Sequence, residues 1–176
     1  MPRRPQGLQN SAQGFNPNKI DMAFVSRESR TKRSFIRFEP MVWVGTAEAQ
    51  AWLNKPLPIA IFEEGCVSRL HAERSLTGSQ LDYRIVCSSG SLIGLLTAVE
   101  AGLAVAALAK RSVPRHLKLV GRKEGLPELE GLEIVLARSS RSKTKPCEVL
   151  AELIQDTLVL EISEFIPIKG FFFENA

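Results

Sequence analysis

The sequence predicts an α/β fold centred on a parallel sheet, and three observations carry that expectation. Between residues 59 and 109 the hydrophobic period switches from strand to helix and back, twice. The connections between these runs are only a few residues long. The last run, residues 103–109, is apolar without alternation, as a strand covered on both faces should be.

Each element follows from local chemistry. Residues 1–19, rich in Pro, Asn, Gln and Arg, read as a basic tail. Residues 20–25 (IDMAFV) and 41–44 (MVWV) read as short strands, and residues 45–58 as a connector with a helical turn before Pro56 and Pro58. Residues 59–62 form a buried strand, 66–76 a helix, and 77–79 its end. In 81–87, Leu81, Tyr83, Ile85 and Cys87 alternate with other residues at strand period. Leu92, Leu95, Leu96 and Val99 then stand at i, i+3, i+4 and i+7, one apolar helix face. Gly102 follows, where a left-handed residue is wanted to stop the helix. Further on, 132–137 reads as a strand and 148–158 as an amphipathic helix with Leu150, Leu153, Ile154 and Leu158 on one side. Residues 159–176, with Phe165, Phe171, Phe172 and Phe173, show no period and read as a tail. There is no internal repeat.

Composition narrows the class. A 176-residue chain with 44% hydrophobic and 24% charged residues can bury a core and stay in solution. The net charge of +4 is uneven: residues 1–37 hold eight basic and two acidic side chains, +6, which leaves −2 for the remainder. Such a basic start could meet nucleic acid only through phosphates, without reading sequence. Direct sequence-specific DNA binding by this chain alone is therefore not expected. Cys66, Cys87 and Cys147 form no CxxC pair, no secretory signal opens the chain, and its longest charge-free stretch is too short for a membrane span. A cytoplasmic location with free thiols and no membrane partner follows.

Candidate chemistry lies where parallel strands end, because open sheets bind ligands beyond their carboxyl edges. Those ends are Glu63-Glu64-Gly65-Cys66 and Ser88-Ser89-Gly90-Ser91, each leading into a helix N-terminus that favours anions. Gly65, Cys66, Ser88, Ser89 and Ser91 are the candidate ligand contacts, with Arg69 one turn into the first helix as a carboxylate partner. Capping alone accounts equally well for the serines, and Arg69 can instead be a surface arginine lying along its helix. Cys66 reads as a small structural cysteine before a redox one. No phosphate loop or nucleophile elbow is present in residues 90–94. His71 and His116 lie far apart without acid or thiol neighbours, so no metal, cofactor or catalytic residue is expected.

The order of these motifs resembles the effector-binding domain of LysR-type transcriptional regulators over residues 20–158. The residues that carry the resemblance are IDMAFV, MVWV, PLPIAIF, GCVSR, the serine-rich strand end, AVEAGLAVAALA and GLPELEGLEIVLARSS. Ala104 and Ala109 stand where the family usually has glycine and proline. The resemblance implies a periplasmic-binding-protein-like fold: one near-complete lobe with a parallel sheet and βαβ units, residues 58–130, plus a partial second lobe. That partial lobe, the family's first, would comprise residues 20–57 and 131–158. It implies a small-molecule effector, anionic in chemistry, held at the strand ends named above. Partners would be a second copy, as a homodimer, or a full-length regulator, as a heterodimer. The family's helix-turn-helix and the opening elements of its first lobe have no counterpart in this reading, so the chain is expected to be truncated. Apolar faces including Phe24, Trp43, Ile134 and Leu136 would then lack covering layers. The alternatives are a stand-alone small-anion-binding protein of the same fold and a truncated gene product without activity.

Overall fold

A computed structural model describes residues 19–27 and 35–160. The basic tail expected at 1–19 and the tail expected at 159–176 lie almost wholly outside these residues. Eight strands and three α-helices are assigned among them. They are β1 (Met22–Arg27), β2 (Phe35–Glu39), β3 (Met41–Gly45), β4 (Leu57–Phe62), α1 (Val67–Gly78), β5 (Tyr83–Ser89), α2 (Leu92–Glu100), β6 (Val105–Ala109), β7 (Lys118–Val120), β8 (Leu132–Arg138) and α3 (Lys145–Leu160).

The strands make two sheets. One has five strands in the order β5-β4-β6-β3-β7, and the other three in the order β1-β8-β2. β4 runs parallel to both β5 and β6, so the two βαβ units expected from the sequence are present, with β4 in the middle. Its residues show why: Leu57 to Ile61 are all buried, which suits a strand with neighbours on both edges and helices on its faces. Ile59 and Ile61 enter one core cluster with Val67, Ala72 and Leu76 of α1. Ala60 enters the other, with Leu95, Ala98 and Val99 of α2. Gly102 ends α2 with φ +72°, and the Leu103 N–H reaches back to the Ala98 carbonyl at 3.1 Å. A residue there with a Cβ would also run into Ala49, so the glycine is required twice over.

β3 belongs to the stretch 20–57 that the resemblance assigns to the partial lobe, and it lies inside the five-stranded sheet, antiparallel to β6 and β7. The physical reason is its two apolar faces: Met41 and Trp43 join the α1-side core, whereas Val44 joins the α2-side core. Trp52 and Leu57 of the connector also pack into the α1-side cluster. Trp43 is therefore covered, and so is Leu136.

The three-stranded sheet is antiparallel throughout, with β8 between β1 and β2. α3 packs on it through Ala151, which shares a small cluster with Ile36 and Leu136. Cover stops there. Phe24 of β1 is 52% exposed and Leu153 of α3 is 58% exposed. With Arg37, Ile134, Ile154 and Thr157 they line an open, mostly apolar groove of about 570 Å³.

The chain passes between the sheets at Pro40 and again through residues 126–131. The second crossing is clipped to β3 and α1 by three side chains. Trp43 Nε1 donates to the Pro127 carbonyl at 2.9 Å, and Ser75 Oγ donates to that of Glu128. Buried His71 holds the Glu130 carbonyl with Nδ1 at 3.0 Å, and because a carbonyl only accepts, Nδ1 carries the proton. At the first crossing Glu39 is 3% exposed, and it accepts from the Arg111 N–H at 3.1 Å while pairing with Arg37 at 3.1 Å. A buried carboxylate is tolerated there because charged and N–H donors surround it.

Candidate functional site

Parallel pairing of β4 with β5 sets Ile61 beside Ser88 and Phe62 beside Ser89. Their carboxyl ends therefore stop together, and the loops 63–66 and 89–91 lie side by side. Gly65 takes φ +87°, which lets the Cys66 N–H turn back onto the Glu63 carbonyl at 3.3 Å before α1 begins. Cys66 is the residue that caps α1, and its half-buried side chain makes no capping hydrogen bond. It is a free thiol, like Cys87 and Cys147.

The serines divide their roles. Ser89 Oγ accepts the Ser91 N–H at 3.0 Å and so closes the turn between β5 and α2. Ser91 precedes α2 as its cap residue, and its exposed side chain makes no capping hydrogen bond. Ser88 is exposed at the strand end. Two neighbouring helices thus start with first-turn N–H groups that no cap side chain satisfies, and these are the donors an anion would use.

Arg69 stands differently. Its Nε donates to Glu73 Oε1 at 2.8 Å, one turn along α1, and its Nη1 reaches the Phe62 carbonyl at 3.3 Å. One carboxylate oxygen of Glu73 thus accepts the Nε–H, and Nη1 ties Arg69 to the end of β4.

Glu63 and Gly94, outside the set of expected ligand contacts, also bear on the site. A Cβ on Gly90 would lie 3.2 Å from Glu63 Oε2, so the Glu63 carboxylate crosses from one loop to the other. Gly94 sits in the first turn of α2, and a Cβ there would come within 2.6 Å of Ser89 Oγ. The helix start can lie against the serine turn only because that position has no side chain. His71 and His116 stand apart, on Glu130 and on Glu100. No group of three or more His, Cys, Asp or Glu able to hold a metal ion occurs among the described residues. Nor is any helix among them long and apolar enough to cross a membrane.

Comparison with known proteins agrees with this architecture. The family model of the LysR substrate binding domain matches residues 9–159. Among curated proteins the chain is 29% identical over 140 residues to the HTH-type transcriptional regulator DgdR of Burkholderia cepacia, covering 79% of this chain and 48% of that protein. It is 25% identical over 122 residues to PecT of Dickeya dadantii, covering 69% of this chain and 39% of that one. The chain thus spans less than half the length of these relatives. Solved structures with a similar fold include the bromide-bound regulatory domain of HypT from Salmonella typhimurium. It has a TM-score of 0.67 at 12% identity, with 81% of this chain and 74% of that one covered. The CcmR regulatory domain of Synechocystis PCC6803 has a TM-score of 0.59 at 14% identity, with 80% and 74% covered. The chain belongs to the LysR family, as an effector-binding domain with the periplasmic-binding-protein-like fold.

Proposed function

We propose that this domain binds a small anionic effector across the carboxyl ends of β4 and β5, between Gly65-Cys66 and Ser88-Ser89-Ser91. The observation that carries the reading is the pair of adjacent helix N-termini whose cap residues leave the first-turn N–H groups without a side-chain acceptor. Ser88 and Ser91 offer exposed hydroxyls, and Gly65 allows close approach to the backbone. Arg69 serves by holding the Phe62 carbonyl and so the loop that follows it. Glu63 must move aside for a simple carboxylate, or else accept a donor group on the effector. The fold neighbours support an anion: one was solved with bromide, another in complex with 2-PG.

In this reading the five-stranded sheet with α1 and α2 is a complete lobe, and the three-stranded sheet with α3 is part of a second lobe. The partner is another copy or a full-length regulator of the family. At an exposed sheet edge the affinity for a simple carboxylate is weak, on the order of millimolar or about 4 kcal/mol. At ten times such a dissociation constant, binding stabilises the fold by about 1.4 kcal/mol, or roughly 3 °C in melting temperature. Thermal melts of the intact chain against a panel of small carboxylates test this. The shift should disappear in Gly65→Val, which strains the positive-φ turn, and shrink in Ser88→Ala. An unchanged shift in both variants places the ligand elsewhere.

A further inference from the structure

The open groove on the three-stranded sheet lies on a different sheet from the strand ends where the effector is placed, and its occupant can be argued independently of that reading. We propose that residues 161–176, the segment that follows α3, fold back along that helix and seat their apolar side chains in the groove between α3 and the β1-β8-β2 sheet. The groove is an unpartnered apolar surface: Phe24, Ile134, Leu153 and Ile154 line it, and Leu150, beside it on α3, is also exposed. Surfaces of this kind on a protein in water mark a site that something covers.

Three facts select the occupant. First, the segment begins beside the groove. Ile154 precedes the end of α3 at Leu160 by six residues, about 9 Å of helical rise. Sixteen residues can span up to about 50 Å when extended, far more than the return requires. Second, its composition fits. Ile162, Phe165, Ile166, Ile168, Phe171, Phe172 and Phe173 are large and apolar, and Pro167 and Gly170 allow a change of direction among them. Third, these residues lie beyond the stretch 9–159 that the family model matches. A second copy could also present an apolar face. However, a short tether holds the segment at an effective concentration in the millimolar range, about a hundredfold above any partner present at tens of micromolar. The attached segment therefore wins.

Proximity of thiols in the intact chain tests the proposal. Leu153→Cys with Phe172→Cys places one thiol in the groove and one in the segment, and Thr157→Cys with Phe172→Cys gives a second groove position. Ile93→Cys with Phe172→Cys is the control, because Ile93 is 75% exposed on α2 of the other sheet. Each variant is oxidised at low micromolar concentration, and the bridged peptides are identified by mass spectrometry, which separates the introduced pair from the three native cysteines. The expected result is an intrachain bridge in both groove pairs, forming ~10-fold or more faster than in the control, as a tethered contact requires. Equal rates in groove and control pairs overturn the proposal. Bridging only between chains also overturns it and identifies a second copy as the occupant.

Discussion

The two sheets are made of similar strands and reach different degrees of closure. In the five-stranded sheet both faces are covered, α1 on one side and α2 on the other, and residues such as Ile59, Val105 and Leu108 are wholly buried. Among the described residues the three-stranded sheet closes only one small cluster, around Ile36, Leu136 and Ala151, and the rest of its apolar surface opens into the groove. The lesson is that an apolar strand becomes core only where a second layer arrives to cover it. Phe24 and Trp43 both stand in short apolar strands. Trp43 is buried because β6, β7 and the α1 side surround it, whereas Phe24 is half exposed because β1 is an edge strand with an open face.

Substitutions can measure that difference. Ile59→Ala removes a fully buried side chain between β5 and β6 and should cost about 2–5 kcal/mol in urea denaturation. Ile134→Ala, on the groove side of β8, should cost less than about 1 kcal/mol when both proteins are cut after residue 160, since a half-exposed side chain gains only part of the shielding from water that full burial gives. Equal costs would show that the smaller sheet is as closed as the larger.

An intermediate effect is expected where the sheets join. Trp43→Phe keeps most of the ring volume but removes the N–H that binds the Pro127 carbonyl. About 1 kcal/mol of stability should be lost, the cost of one hydrogen bond whose acceptor stays half-buried. A neutral result would mean that His71 and Ser75 hold residues 127–130 without help.

The smallest effect concerns charge at the strand ends. Glu63→Gln removes the carboxylate beside Gly90 and should tighten the binding of a simple carboxylate about threefold, a modest change because the group is exposed and solvent screens it. Weaker binding instead would show that Glu63 takes a hydrogen bond from the ligand.

Much of the larger sheet was legible in the sequence because its signals are local. The period changes across residues 59–109 specify strand and helix in turn, and Gly102 marks a helix end that only its conformation explains. The sheet that β3 joins was not legible, because four apolar residues define a strand without saying which neighbours it has. β2 went unread because Arg37 and Glu39 give it the look of the basic stretch before it, although Ile36 is buried. β7, three residues long, carries too little pattern.

At the site, Gly65 and the serine turn could be read from residue type. Arg69 with Glu73 was also legible, since four-residue spacing pairs opposite charges along a helix. Gly94 could have been found too, because a lone glycine inside a helix usually has a packing reason. Glu63 could not. Its approach to Gly90 depends on how β4 and β5 align, and that alignment includes a bulge opposite Ile59 and Ala60 that spacing alone does not reveal.

The central claim is that ligand binding belongs to the closed sheet and not to the open one. Amide chemical-shift mapping of the intact chain, titrated with a panel of small carboxylates, tests it most directly. The account predicts saturable shifts confined to residues 63–67 and 88–93, at the starts of α1 and α2, with dissociation constants on the order of millimolar. Saturable shifts centred on Phe24, Ile134 and Leu153, with the strand-end loops silent, would contradict it.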